Sequence, residues 1–105
     1  MNKKIILDKR AEKEINKFPK AVRISIKAYT DILEKTGELR KPFAKKINSK
    51  PNLYEIRVRC QGTWRVFYAY VRKKEIIILS ALDKKTQKTP SNEIKKAIRR
   101  LNEYL

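Results

Sequence analysis

A chain of 105 residues has room for one domain, residues 1–105, large enough to close a single core without disulfide or metal staples. Its 28 Lys and Arg against 11 Asp and Glu leave a net charge of +17, a balance that opposes compaction and favours polyanionic partners through counterion release and steering. One cysteine and no histidine exclude an internal disulfide, Ser–His and Cys–His pairs and the usual zinc sites, so neither a metal nor another cofactor is expected.

Lys3 to Leu7 is a short apolar run that reads as a strand, ended by Asp8, a residue type that caps helices. Ala11, Ile15 and Phe18, four and three apart, give the following helix one apolar stripe, and Pro19 stops it. A second helix restarts with Pro19 in its first turn. Its stripe is Val22, Ile26, Tyr29 and Leu33, widened by Ala21, Ala28 and Ile32, and Gly37 is a fitting C-terminal stop. The two helices read as a hairpin laid on a sheet. Residues 38–52 carry Arg40, Lys41, Lys45, Lys46 and Lys50 against a single Glu38, with prolines at 42 and 51. This stretch reads as an extended connection with a short strand around Lys45 to Ile47. A charged run is most simply a solvated face, but its position ahead of the next strands makes Lys45 and Lys46 candidates for phosphate contacts.

From Leu53 to Lys88, two alternating runs joined by a glycine turn precede a third apolar run that ends in a basic cluster, the pattern of an antiparallel meander. If Ile56, Val58 and Cys60 face one way, Glu55, Arg57 and Arg59 face the other. A two-residue turn at Gln61-Gly62 would set Arg65 opposite Val58 on the far face, whereas a three-residue loop, Gln61-Gly62-Thr63, pairs Arg59 with Arg65 and Arg57 with Phe67. We expect the second register. It sets two arginines side by side, an unfavourable pairing for folding alone that makes sense with an anion between them; equally, arginines keep a sheet face wet. Trp64, Tyr68 and Tyr70 fall on the face opposite Arg65, where the helices should pack, and Phe67 beside Arg65 is the aromatic expected to stack on a base. Cys60 reads as a small apolar strand residue.

Glu75 to Leu82 is apolar on both faces and reads as an interior strand. Asp83 to Lys88 leaves the sheet as a basic loop, and Thr89-Pro90 opens a last helix. Ile94, Ala97, Ile98, Leu101 and Leu105 form its stripe, opposite Lys95, Lys96, Arg99 and Arg100. The order β-α-α-β-β-β-α, with helices grouped on a mainly antiparallel sheet, is that of an α+β domain. Fifteen basic against six acidic residues in 1–52 (+9), and thirteen against five in 53–105 (+8), make the whole domain the polycation rather than a tail. Ile5-Ile6-Leu7 is too short for a signal-peptide core and no run reaches membrane-spanning length, so a cytoplasmic protein without a membrane partner is expected.

Leu53 to Arg59, Trp64 to Tyr68, and Lys84 to Pro90 followed by a basic helix resemble, in that order and at those separations, the HigB-like, phage-derived branch of the RelE superfamily of bacterial toxins. The resemblance implies a microbial RNase-like fold and an endoribonuclease, an mRNA interferase of a type II toxin–antitoxin system that cleaves mRNA on the ribosome. It also implies a HigA-like helix-turn-helix antitoxin, through which alone the pair would reach operator DNA. Carried over by position, it assigns Glu55, Arg57, Arg65, Lys84 and Lys85 to the active site. Some RelE relatives carry lysines where this chain has Glu55 and Arg57, and some HigB relatives use histidines that this chain lacks. Many place a tyrosine near the end, where Tyr104 is available without a motif tying it to that role.

Cleavage of RNA without a metal needs the ribose 2′-hydroxyl deprotonated, the added charge on the phosphorane stabilised, and the 5′-oxygen protonated as it leaves. Arg57 and Arg65, permanently charged forks, suit the second task. Cationic neighbours disfavour Glu55 as a base and favour a neutral Lys84 or Lys85, which leaves Glu55 as an orienter or alternative base. Such weak acid–base equipment suits an enzyme whose substrate is positioned by a larger assembly. Lys45, Lys46, Arg59, Phe67, Lys88, Lys95 and Arg99 are the expected contacts to RNA or ribosome; for Lys95 and Arg99 a solvated helix face serves equally. A non-catalytic RNA- or DNA-binding module shares the charge but does not need Glu55, and a toxin of this fold acting on DNA gyrase would not need the Lys84/Lys85 pair.

Overall fold

The apolar runs and stripes become the elements β1 (Lys4–Leu7), α1 (Lys9–Asn16), α2 (Lys20–Thr36), β2 (Ala44–Asn48), β3 (Leu53–Arg59), β4 (Thr63–Tyr70), β5 (Glu75–Lys84) and α3 (Ser91–Asn102). A computed structural model describes residues 2–48, 52–84 and 91–105 of the chain. β2 adds a strand to the expected order, slightly longer than the Lys45–Ile47 segment from which it was read. The predicted opening of the last helix at Thr89-Pro90 lies outside the described residues.

The local signals act as their chemistry dictates. The Asp8 side chain accepts from the Arg10 and Ala11 amides and caps α1. Gly37 ends α2 in the left-handed conformation, φ +86°, where its N–H donates to the Leu33 carbonyl at 2.8 Å. The five strands form one sheet in the order β1-β5-β4-β3-β2, antiparallel except for the parallel pair β1 and β5. β5 is interior, as its two apolar faces require.

Both faces of the sheet are covered. Ile56, Val58, Trp64, Val66, Tyr68, Ile76 and Ile78 meet Ala11, Val22, Ile26 and Leu33 of α1 and α2. On the other side Leu53, Phe67, Ala69, Val71, Ile77 and Leu79 meet Ala97 and Leu101 of α3. A register shift between Phe67 and Tyr68, which pair with Ser80 and Ile78, leaves Leu79 as the extra residue of β5.

Where β1 stops, α1 takes over the edge of β5. Leu7 pairs with Ile78, and beyond that point Glu14 accepts from the Ala81 N–H at 3.1 Å while Arg100 donates to the Leu79 carbonyl at 2.9 Å. Arg100 also grips Glu14 through both terminal nitrogens at 3.0 Å. Two side chains thus replace the missing strand and satisfy its hydrogen bonds. Burial pushes the Glu14 carboxyl up, but Arg100, the Ala81 N–H and Lys96 outweigh it and hold it below its ordinary range. At the far end of α3, Tyr104 donates to Asp8 at 2.7 Å, and Arg10 bridges Asp8 and Glu103. No helix among the described residues is long and apolar enough to cross a membrane.

Candidate functional site

β3 and β4 meet through a loop at Cys60-Gln61-Gly62, one residue earlier than expected. Gln61 sits at φ +54° and Gly62 at φ +115°, the latter a conformation that side chains rarely adopt. The Cys60 N–H donates to the Gly62 carbonyl at 3.0 Å, and Thr63 already belongs to the strand, opposite Arg59. The expected pairs Arg59 with Arg65 and Arg57 with Phe67 are therefore replaced by Arg57 with Arg65 and Glu55 with Phe67. The displacement is by an even number of residues, so Glu55, Arg57, Arg59 and Arg65 still share a face.

Two arginines directly opposite each other repel, and Glu55 resolves the conflict. One of its carboxylate oxygens accepts from Arg65 Nη1 and the other from Arg57 Nε at 3.1 Å. Glu55 and Arg65 are fully buried, at 0% and 1% exposure, whereas Arg57 is 27% exposed. The carboxylate holds the Arg57 side chain by its Nε. Arg57 then lines an open concavity of about 230 Å³ together with Lys41, Pro42, Ala44, Lys45 and Arg59. Four cations and no carboxylate face that space. Among the described residues Lys41, Lys45 and Arg59 make no ion pair, which leaves their charge available to an anion.

The other predicted site residues separate into groups. Phe67, expected to stack on a base, is fully buried beneath α3. Alternation told which face it occupies, but not that this face is covered as well. Arg65, expected to hold a phosphate oxygen, is buried and bound to Glu55. Lys46 is opposite Tyr54, whereas Lys45 is opposite Glu55, so their side chains alternate to different faces and only Lys45 lines the concavity. Lys84 ends β5 opposite Thr63; Lys85 and Lys88 lie outside the described residues. Lys95 and Arg99 are exposed on α3, but Arg100, read as part of the same outer face, is turned inward onto Glu14 and Leu79. Tyr104 is bound to Asp8. Lys41, named only as part of a basic run, is the pocket residue that spacing did not single out.

A family model described as phage-derived protein Gp49-like (DUF891) matches residues 13–102. The chain belongs to this family. No curated protein matches it significantly. Among solved structures, this Gp49-like chain resembles a mutant of the E. coli toxin RelE in the free state, at 20% identity and TM-score 0.74, with 96% of this chain and 99% of that one covered. The intact E. coli RelBE toxin–antitoxin complex is similar at 22% identity and TM-score 0.66, covering 80% and 99%. The archaeal RelE–RelB complex from Pyrococcus horikoshii OT3 is similar at 28% identity and TM-score 0.63, covering 79% and 96%. With the family match, these likenesses show the RelE-superfamily fold that the sequence predicts.

Proposed function

We propose that this Gp49-like protein is the toxin of a type II toxin–antitoxin system, a HigB-like endoribonuclease that cuts mRNA on the ribosome. The observation that carries the reading is the Arg57 guanidinium, held from behind by buried Glu55, itself paired with Arg65, and lining a concavity with three further cations. A scissile phosphate placed there meets the fork of Arg57, which stabilises the charge that develops when the ribose 2′-oxygen attacks phosphorus and the bond to the 5′-oxygen breaks. Products are a 2′,3′-cyclic phosphate and a 5′-hydroxyl.

Roles divide by burial. Glu55, with an oxygen on each guanidinium and no exposure, orients Arg57 rather than serving as base, and Arg65 acts through Glu55 rather than on the phosphate. Proton transfer falls to lysine, with Lys84, the last residue of β5, and the next residue in sequence, Lys85, as the candidates. The chain has no histidine to serve as base, and substrate orientation by the translating ribosome supplies much of the rate. The RelE relatives solved with antitoxins support a cognate antitoxin, here of the HigA-like helix-turn-helix kind, and the setting is the cytoplasm.

Expression from a tightly controlled promoter tests this. The wild-type chain should arrest growth and leave cuts in translated messages that primer extension detects. Arg57→Ala should reduce cleavage at least about 100-fold, the typical loss of one charge-stabilising donor, with an unchanged circular dichroism spectrum. Arg57 is the better probe than Arg65, whose removal also disrupts the core. Undiminished arrest by Arg57→Ala, or arrest with intact messages, overturns the proposal.

A further inference from the structure

Phe67 is buried, yet the concavity has an aromatic neighbour that spacing did not mark. Among the described residues Phe43 is the one exposed large aromatic, at 47% exposure. Its backbone is tied directly to the site, since the Arg57 N–H donates to the Phe43 carbonyl at 2.9 Å, and its chain neighbours Pro42 and Ala44 line the concavity. The turn is held by the Phe43 and Ala44 amides, which donate to the Arg40 carbonyl at 3.0 and 3.3 Å. The ring leans on Tyr29 of α2, centroids 5.6 Å apart and planes tilted by 37°. That contact fixes one side of the ring and leaves the residue half exposed, one position from the lining residues Pro42 and Ala44. A half-exposed aromatic ring next in the chain to a cationic concavity suits single-stranded nucleic acid, which requires cations for the backbone and an aromatic face for the base.

We propose that the edge around β2 is a nucleotide subsite for single-stranded RNA, in which Lys41, Lys45 and Arg59 hold a phosphate next to the one at Arg57 and Phe43 stacks on the attached base. The inference rests on the RNA substrate proposed above and adds to it a residue that selects a base-bearing strand over a bare polyanion. Stacking tolerates every base, so the subsite improves grip without choosing sequence.

The test uses the full chain and two short probes, a 2′-O-methyl oligoribonucleotide, which lacks the attacking hydroxyl and cannot be cleaved, and an abasic oligomer of equal length. Phe43→Leu should weaken binding of the base-bearing probe about ten-fold, the loss of one stacked base, and leave the abasic probe unchanged. Phe43→Trp should retain affinity, and its added fluorescence should be quenched by the base-bearing probe alone. Lys45→Ala should weaken both probes and flatten their salt dependence. Urea midpoints of the variants confirm folding. Equal losses on both probes with Phe43→Leu, no loss at all, or tighter binding of a polyglutamate peptide than of either probe overturns the subsite; the last outcome assigns the edge to an acidic protein. Because neither readout involves cleavage, failure here is distinct from failure of the Arg57→Ala experiment.

Discussion

Replacing Glu55 by leucine keeps the volume of the side chain but removes the carboxylate between Arg65 and Arg57. Arg65 is then a guanidinium at 1% exposure that has lost its buried counter-charge. Breaking one side of such a pair costs about 3–5 kcal/mol, because an uncompensated charge stays behind. Against the roughly 5–15 kcal/mol that holds a domain together, that loss lowers the melting temperature by roughly 15–25 °C. Arg65→Leu should cost a similar amount, since Glu55 then loses its buried counter-charge. The double variant Glu55→Leu/Arg65→Leu removes both buried charges and should lie within about 2 kcal/mol of wild type, since well-packed apolar residues replace buried ion pairs with little loss. The assay is urea unfolding of the four proteins followed by circular dichroism, with matching slopes required before midpoints are compared. The cycle should show coupling of about 2 kcal/mol or more. Single losses that simply add, with coupling below about 0.5 kcal/mol, would refute the view that this pair is an internally neutralised support for Arg57.

Acid should act on the contact between α1 and α3. Hydrogen bonding from Arg10, with a further bond from Tyr104, holds the Asp8 carboxyl well below the ordinary range against the opposing effect of burial. A depressed folded value adds stability that is fully present above the unfolded value, about 4, and is lost as pH falls below it. Asp8→Asn should therefore be less stable than wild type at pH 7, with the difference shrinking below about pH 4; a difference that stays constant to pH 2 would sever that link. At the uncovered edge of β5, Glu14→Ala should leave the Ala81 amide without its acceptor and speed its hydrogen exchange markedly more than that of Ile77 in the β1-covered half. Uniform acceleration across β5 would point instead to global destabilisation.

Much of the fold is legible along the chain because it is written in local chemistry. Asp8 and Gly37 satisfy helix ends where they stand, the stripe from Val22 to Leu33 marks the face of α2, and alternation along β3 and β4 assigns Glu55, Arg57 and Arg65 to one side. That parity survives the misplaced loop, since shifting by two residues leaves every side chain on its original face. What alternation cannot express is whether a face is covered, or which residue of a turn takes a positive φ.

Local pattern determined the α+β class, the helix ends at Asp8 and Gly37, the interior place of β5, the shared face of the arginines and the cationic character of the whole domain. Tertiary structure decided that α3 packs over Phe67, that Arg65 is buried, and that Glu55 joins the two opposed guanidiniums. It also decided that the open charge gathers at Lys41, Lys45, Arg57 and Arg59. The reason is range: caps, stripes and alternation act over a few residues, whereas burial and ion pairing depend on segments far apart in the chain, such as Phe67 with Leu101 or Glu14 with Arg100, whose meeting no local pattern records.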